Sequence, residues 1–310
     1  MKSCSAYYYC PQADHKVMAR WKSLYTVDEL AGLQEIVDLA SNNDLNFMYC
    51  LRFPEEVTKL DEKVQGQVLA KLRQVQGVKV DHFCMLFDLM ENDNGREISL
   101  GQAQANLANF LLNELKPTSL AVLPTECSPS LVVPSIQSSP YLRDLGRHLK
   151  TDIKVAFMAD TAIHAFIHSS TLSELADVIQ RPPLIWEGND EEAADKKSMV
   201  IAAMGGGKTD HVTTAISGIV VNLNSSGGPN LGGMASLTDF ARLLGRDSSA
   251  RTAASTQTDA IKGRKHAQSQ TEGSGLSDSE KAKICANLLS SFQDVGEKMQ
   301  AAVKAIYEQE

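Results

Sequence analysis

The feature that most narrows the fold is an alternation. Up to about residue 244, short apolar runs rich in β-branched and aromatic residues take turns with longer stretches of helical periodicity. The runs at 5–10, 46–53, 81–87, 120–124, 154–158, 183–186 and 217–222 read as strands. Stretches such as 27–40, 55–75, 100–115 and 172–179 read as the helices between them. Strands that each wait for a helix cannot form hairpins, so they pair in parallel through crossovers, with the helices packed outside. Polar residues stand where the strands end, which fits a TIM-type (β/α)₈ barrel lacking one strand better than an open doubly wound sheet. Chemistry in such barrels gathers at the carboxyl ends of the strands, here Gln12, Asp88, Glu126, Asp160, Glu187 and Asn222 or Asn224.

The pattern changes after residue 245. Residues 246–276 are rich in Ser, Thr, Ala and Gln and cannot bury enough apolar surface to offset chain entropy, so they read as a disordered linker. In residues 277–310, Ile284, Leu288, Phe292, Val295, Met299, Val303 and Ile306 recur at steps of three and four, the stripe of an amphipathic helix. Ser277 and Glu280 form a capping box at its start. This helix either packs on its own domain, 1–245, or serves partner binding and self-association.

Charge and motifs exclude several functions. With 30 Lys+Arg against 38 Asp+Glu, a net charge of -8 and no concentrated basic patch, nucleic acid is a poor partner. There is no 18-residue apolar run and no signal-peptide core, which predicts a cytoplasmic or nuclear protein without membrane contact. The six cysteines are scattered without CxxC pairs and read as reduced, structural thiols. Gly205-Gly206-Gly207-Lys208-Thr209 imitates a phosphate-binding loop, but Ala202 stands where the motif's first glycine belongs. His164 and His168 have helical spacing but no glutamate or third ligand beside them, so no metal or cofactor is expected. A nucleophile elbow is absent.

What remains is the run from Asp81 to Met90, where Asp88 follows an apolar strand. A carboxylate there can be catalytic or can cap the next helix. The segment resembles the strand of the protein O-GlcNAcases, the glycoside hydrolase family 84 β-N-acetylglucosaminidases, in which Leu-Phe-Asp-Asp-Ile supplies two adjacent catalytic aspartates. Tyr8 to Lys16 with Trp21 and Tyr25 to Glu29 is similar to the family's Tyr-Ala-Pro-Lys-Asp-Asp stretch and its helix. Leu123-Pro124-Thr125-Glu126 and the Ser139 to Gly146 segment resemble the Pro-Thr-Glu-Tyr-Cys exit and the Ser-Pro-Tyr-Leu helix. Arg181 to Glu187 resembles the strand continuing into Trp-Asp-Asn, and Gly218 to Asn224 the Asn-Pro-Asn exit. Order and spacing agree from about residue 4 to 244.

The resemblance implies substrate-assisted hydrolysis. The N-acetyl oxygen attacks the anomeric carbon, the first aspartate orients the acetamide, and the second protonates the leaving oxygen, outside the usual two-carboxylate scheme. Asp88 aligns with the first aspartate, and Leu89, which has no proton to give, with the second. Losing a general acid costs about 10²–10⁴ in rate. Glu91 and Asp93 lie close by in sequence, on the following loop. Sugar contacts depart too: Gln12 replaces a lysine, Cys127 a tyrosine, Phe157-Met158-Ala159 a Trp-Thr-Gly, and Trp186-Glu187-Gly188 the Trp-Asp-Asn, while a clamping aspartate falls near Ala193. Asn222 and Asn224 are kept.

Three readings follow. The leading one is an O-GlcNAcase-like domain that is catalytically inactive and acts through protein contacts. The second is an active β-N-acetylglucosaminidase that removes O-GlcNAc from proteins. The third is a lectin-like binder of O-GlcNAc-modified proteins through Asp88 and Asn224, with Asn222, Trp186 and Gln12 as the other substrate-binding candidates. The family's upstream Gly-Phe-Tyr-Gly strand has no counterpart, so either the chain is a fragment or the C-terminal helix or a partner covers the seam.

Overall fold

Seven strands pair in chain order, and every pairing is parallel. The structure, a computed structural model, describes residues 6–11, 14–54, 60–88, 90, 98–159, 171–187 and 216–220. Its elements are β1 (Ala6–Tyr9), α1 (Val27–Asn42), β2 (Asn46–Arg52), α2 (Glu62–Gln76), β3 (His82–Leu86), α3 (Leu100–Leu115), β4 (Ser119–Leu123), α4 (Pro140–His148), β5 (Lys154–Ala159), α5 (Thr171–Ile179), β6 (Leu184–Glu187) and β7 (Gly218–Val220). The linker at 246–276, the helix at 277–310, the Gly205–Thr209 loop, and His164 and His168 lie outside the described residues.

Helix starts are fixed by side-chain oxygens that satisfy free backbone N–H groups. Thr26 and Glu29 form a capping box on α1, Asp61 accepts from Val64 N on α2, and Ser99 accepts from Gln102 N on α3. The cap at Asp61 explains why α2 begins later than the apolar pattern from residue 55 predicts. Ser139 caps α4 and Pro140 opens it, its missing N–H costing nothing in the first turn. Nine residues are too few to stand out by periodicity, which is why α4 was legible only through its motif.

The sheet has two unlike faces. Tyr49, Leu51, Phe83, Met85, Val122 and Phe157 point outward into a continuous core with the helices. Met48, Cys50, Cys84, Leu86, Ala121, Leu123 and Ala156 point the other way and form a smaller inner cluster, against which Tyr8, Met158 and Trp186 pack. The rings of Tyr8 on β1 and Trp186 on β6 meet edge-on at 5.3 Å. Across a flat sheet those strands would be about 24 Å apart at the usual 4.8 Å spacing, so the sheet is curled around this inner cluster. The result is a seven-stranded half-barrel, a (β/α) barrel missing part. Among the described residues no ladder joins β7 to β1.

Where the helices meet one another, two glycines permit the contact. A Cβ on Gly101 of α3 would lie 2.3 Å from the Tyr141 carbonyl oxygen of α4, and one on Gly146 of α4 would lie 2.5 Å from that of Val178 on α5. Arg181, almost fully buried, ties the far end of the same layer by donating to the carbonyls of Lys150 (2.7 Å), Ile153 (2.7 Å) and Leu149 (2.8 Å).

Candidate functional site

The strand ends are held by backbone and side-chain bonds that continue past the ladders. Phe53 N donates to Leu86 O at 2.9 Å and Phe87 N to Leu123 O at 2.8 Å, while the Phe53 and Phe87 rings stack at 4.9 Å. Thr125 Oγ1 donates to the Phe87 carbonyl at 2.7 Å and accepts from Gln104 Nε2 at 2.7 Å. The Tyr141 hydroxyl accepts from Thr125 N at 2.8 Å and donates to Gln104 Oε1. These buried polar groups have partners on each side and fix the β3 and β4 exits to α3 and α4. Asp88 leaves this anchored turn.

Its carboxylate meets an arginine. Arg52 closes β2 opposite Leu86 in the parallel register, which brings its guanidinium to Asp88 two residues further on. Nε reaches Oδ1 at 3.2 Å and Nη2 reaches Oδ2 at 2.5 Å, a two-pronged pair with side-chain exposures of 28% for Arg52 and 15% for Asp88. Such charge-assisted forks are the stronger class of hydrogen bond and fix geometry as well as charge. Beside them lie four free thiols, Cys10, Cys50, Cys84 and Cys127. Burial, reinforced by the Asp88 charge, pushes the Cys127 thiol up to about 12. Its sulfur contacts that of Met158 at 3.6 Å.

The rim predicted from sequence is only partly assembled among the described residues. Asp88 is at the end of β3 as expected, and Trp186 is on the inner face of β6 against Tyr8, whose phenol is pushed up by burial. Glu126 accepts a 2.6 Å hydrogen bond from the Ser139 hydroxyl at the start of α4. Burial raises its pKa and that hydrogen bond opposes the rise. Gln12, Leu89, Glu91, Asp93, Asp160, Gly188, Ala193, Asn222 and Asn224 lie outside the described residues, as does the side chain of Glu187.

Arg52 was missed, because an arginine at a strand end reads as a solvated terminus until the register supplies its partner. Asp14 was read only as part of a motif. It is fully buried on the outer face, accepting from the hydroxyls of Tyr9 (3.0 Å) and Tyr25 (2.6 Å) and from Lys16 N (2.9 Å). Lys71, equally buried, donates to Ser23 O at 2.6 Å and sits 3.6 Å from the Tyr25 ring centroid.

A curled parallel β/α sheet with an acidic residue at a central strand exit is a partial (β/α) barrel with its candidate site where such barrels carry their chemistry. A family model described as beta-N-acetylglucosaminidase matches residues 2–273, and the chain belongs to that family. It is similar to the Protein O-GlcNAcase of Rattus norvegicus, 26% identical over 226 residues covering 71% of this chain and 25% of the relative. The Mus musculus protein of the same name is 25% identical over 226 residues, with the same coverage of 71% and 25%. The chain thus spans a quarter of the length of these relatives. Among solved structures, an O-GlcNAc hydrolase of Thermobaculum terrenum superposes with a TM-score of 0.60 at 22% identity, covering 81% of this chain and 56% of that one. At that identity the likeness speaks for the fold.

Proposed function

We propose that this O-GlcNAcase-like domain does not hydrolyse glycosides at an appreciable rate and acts by binding protein partners. The observation that carries the proposal is the Arg52–Asp88 fork. Substrate-assisted hydrolysis needs a carboxylate free to accept the acetamide N–H, so that the acetamide oxygen is aimed at the anomeric carbon. Here each oxygen of the aligned carboxylate already accepts from a guanidinium nitrogen, and a sugar amide has to compete with that charged donor. The next residue in the sequence is Leu89, which offers no proton to the leaving oxygen. Glu126, the described rim carboxyl that burial favours in its protonated form, is tied to Ser139 at the α4 terminus.

The two losses reinforce each other. Without the proton donor the departing oxygen leaves as an alkoxide, and without a free acceptor the internal nucleophile loses its orientation. A fold that keeps its scaffold while losing both steps retains binding as the work it can do.

The test is turnover of an aryl N-acetylglucosaminide and of an O-GlcNAc peptide by the purified chain, with thermal melting as a check of folding. No turnover of the peptide is expected. A rate within about tenfold of an active family member overturns the proposal, since a missing general acid costs about 10²–10⁴.

A further inference from the structure

The inner face carries a file of sulfur that glycoside chemistry does not use. Cys50 and Cys84 are directly paired in the β2–β3 register, and Cys10 stands one residue beyond the last β1–β2 pair, Tyr9 with Tyr49. Continuing that register sets Cys10 opposite Cys50. Neighbouring strands lie about 4.8 Å apart, inside the roughly 4.4–6.8 Å Cα separation that a disulfide spans.

The three thiols are not equivalent. Cys50 and Cys84 are fully buried and sit within paired strands, whereas Cys10 is half-buried and lies just past the end of β1. Its backbone is therefore the one able to turn a Cβ toward its neighbour, and its sulfur the one an oxidant can reach. A hydrogen bond from the Cys50 thiol lowers the Cys10 pKa, and the Arg52 charge adds to this, while burial, Asp88 and Asp14 oppose it. The Cys50 thiol is pushed the other way, chiefly by burial, and so keeps its proton. Its other acceptor is the Met48 carbonyl, a distant 3.9 Å from the sulfur. Among the described residues no group of three or more His, Cys, Asp or Glu could hold a metal ion.

We infer that Cys10 and Cys50 form a reversible peroxide-responsive thiol pair, with Cys10 attacking and Cys50 resolving. The Cys10 thiolate attacks one oxygen of hydrogen peroxide; the O–O bond breaks, hydroxide leaves and takes up the Cys50 proton as water, and Cys10 becomes a sulfenic acid. The Cys50 sulfur then displaces the sulfenic oxygen, which leaves as a second water with the solvent proton it needs, and a Cys10–Cys50 disulfide forms. Two electrons pass from the thiols to the peroxide, and a dithiol reductant returns them. The disulfide would tie β1 to β2 two residues from Arg52, so that oxidation reshapes the interior next to the Arg52–Asp88 pair.

The experiment treats the full chain with hydrogen peroxide, blocks free thiols with N-ethylmaleimide and maps unreduced peptides by mass spectrometry. A Cys10–Cys50 linked peptide, lighter by two hydrogens and removed by dithiothreitol, is the expected product. In Cys50→Ala, Cys10 should accumulate as a sulfenic acid that dimedone captures, and its alkylation at neutral pH should slow several-fold. Cys10 remaining a free thiol in the wild-type chain, passing directly to a sulfinic acid, or linking predominantly to another cysteine overturns the inference. If Cys50→Ala does not fold, the wild-type peptide map decides alone.

Discussion

The two faces of the one sheet are built on opposite principles. The outer face packs large aliphatic and aromatic side chains against five described helices, and its buried polar groups, Asp14, Lys71 and Gln104, all have partners. The inner face is made of alanines, cysteines and medium-sized aliphatics, with Tyr8 and Trp186 packed against them and a largely buried ion pair at its mouth. Stability is concentrated where side chains are largest and best enclosed, so the inner face can lose chemical groups while the barrel persists. That difference would let a chain keep its family's fold while changing Leu89, the position its resemblance marks as the proton donor.

The sharpest attempt to break this contrast is to restore the acid that the resemblance places next to Asp88 in the sequence. Leu89→Asp alone supplies a carboxyl but leaves Asp88 engaged, so less than a tenfold gain in aryl glycoside turnover is expected. Adding Arg52→Ala frees the acceptor, and the pair of changes should exceed the product of the single gains, moving toward the 10²–10⁴ that an acid contributes, about 3–5 kcal/mol of barrier. Steady-state kinetics on the four proteins checks it. A full gain from Leu89→Asp by itself would show that the fork does not obstruct the acetamide.

On the outer face, Phe83→Ala should cost about 3–5 kcal/mol, the range for emptying a fully buried aromatic site, read as a lowered midpoint in urea unfolding. A cost near 1 kcal/mol would show that the helix layer is not where the stability lies.

Lys71 gives the outer face a pH signature. Burial, opposed by the Asp14 charge, lowers its pKa from the usual 10.5 to about 8. Between those values the unfolded chain holds a proton that the folded chain has released. The Lys71 penalty is therefore complete below about pH 8 and fades as pH rises toward 10.5, so this residue makes stability increase with pH across that window, by at most about 3 kcal/mol. Unfolding free energies of wild type and Lys71→Met should diverge below pH 8 and converge above 10. A difference independent of pH would mean that Lys71 titrates as if exposed.

The strands and most of the helices were legible because their signal is local: alternating apolar runs, capping residues and a period of 3.6. Asp88 was legible for the same reason, since it directly follows an apolar strand. Arg52 was not, because its meaning depends on which residue of β3 stands opposite, and a parallel register leaves no mark in either segment alone. Asp14 likewise needed Tyr9 of β1 and Tyr25, just before α1, to be brought to it before it became a buried acceptor of two tyrosine hydroxyls. The cysteines were read as structural thiols; only the parallel register of β1, β2 and β3 brings three of them into line.

The smallest effect tests the inner face directly. Cys84 is as fully buried as Phe83, its neighbour in the chain, but it points into the half-barrel. Cys84→Ala removes one sulfur from a cluster of small groups, worth about 1 kcal/mol by the usual figure for a buried methylene-sized group. The same urea titration that reads Phe83→Ala reads this substitution, and the two residues share a strand, a depth and a solvent history. Their differing costs therefore isolate the face they point to. If Cys84→Ala costs as much as Phe83→Ala, the interior is as tightly packed as the helix layer, and the room that a partner or a sugar would need is not there.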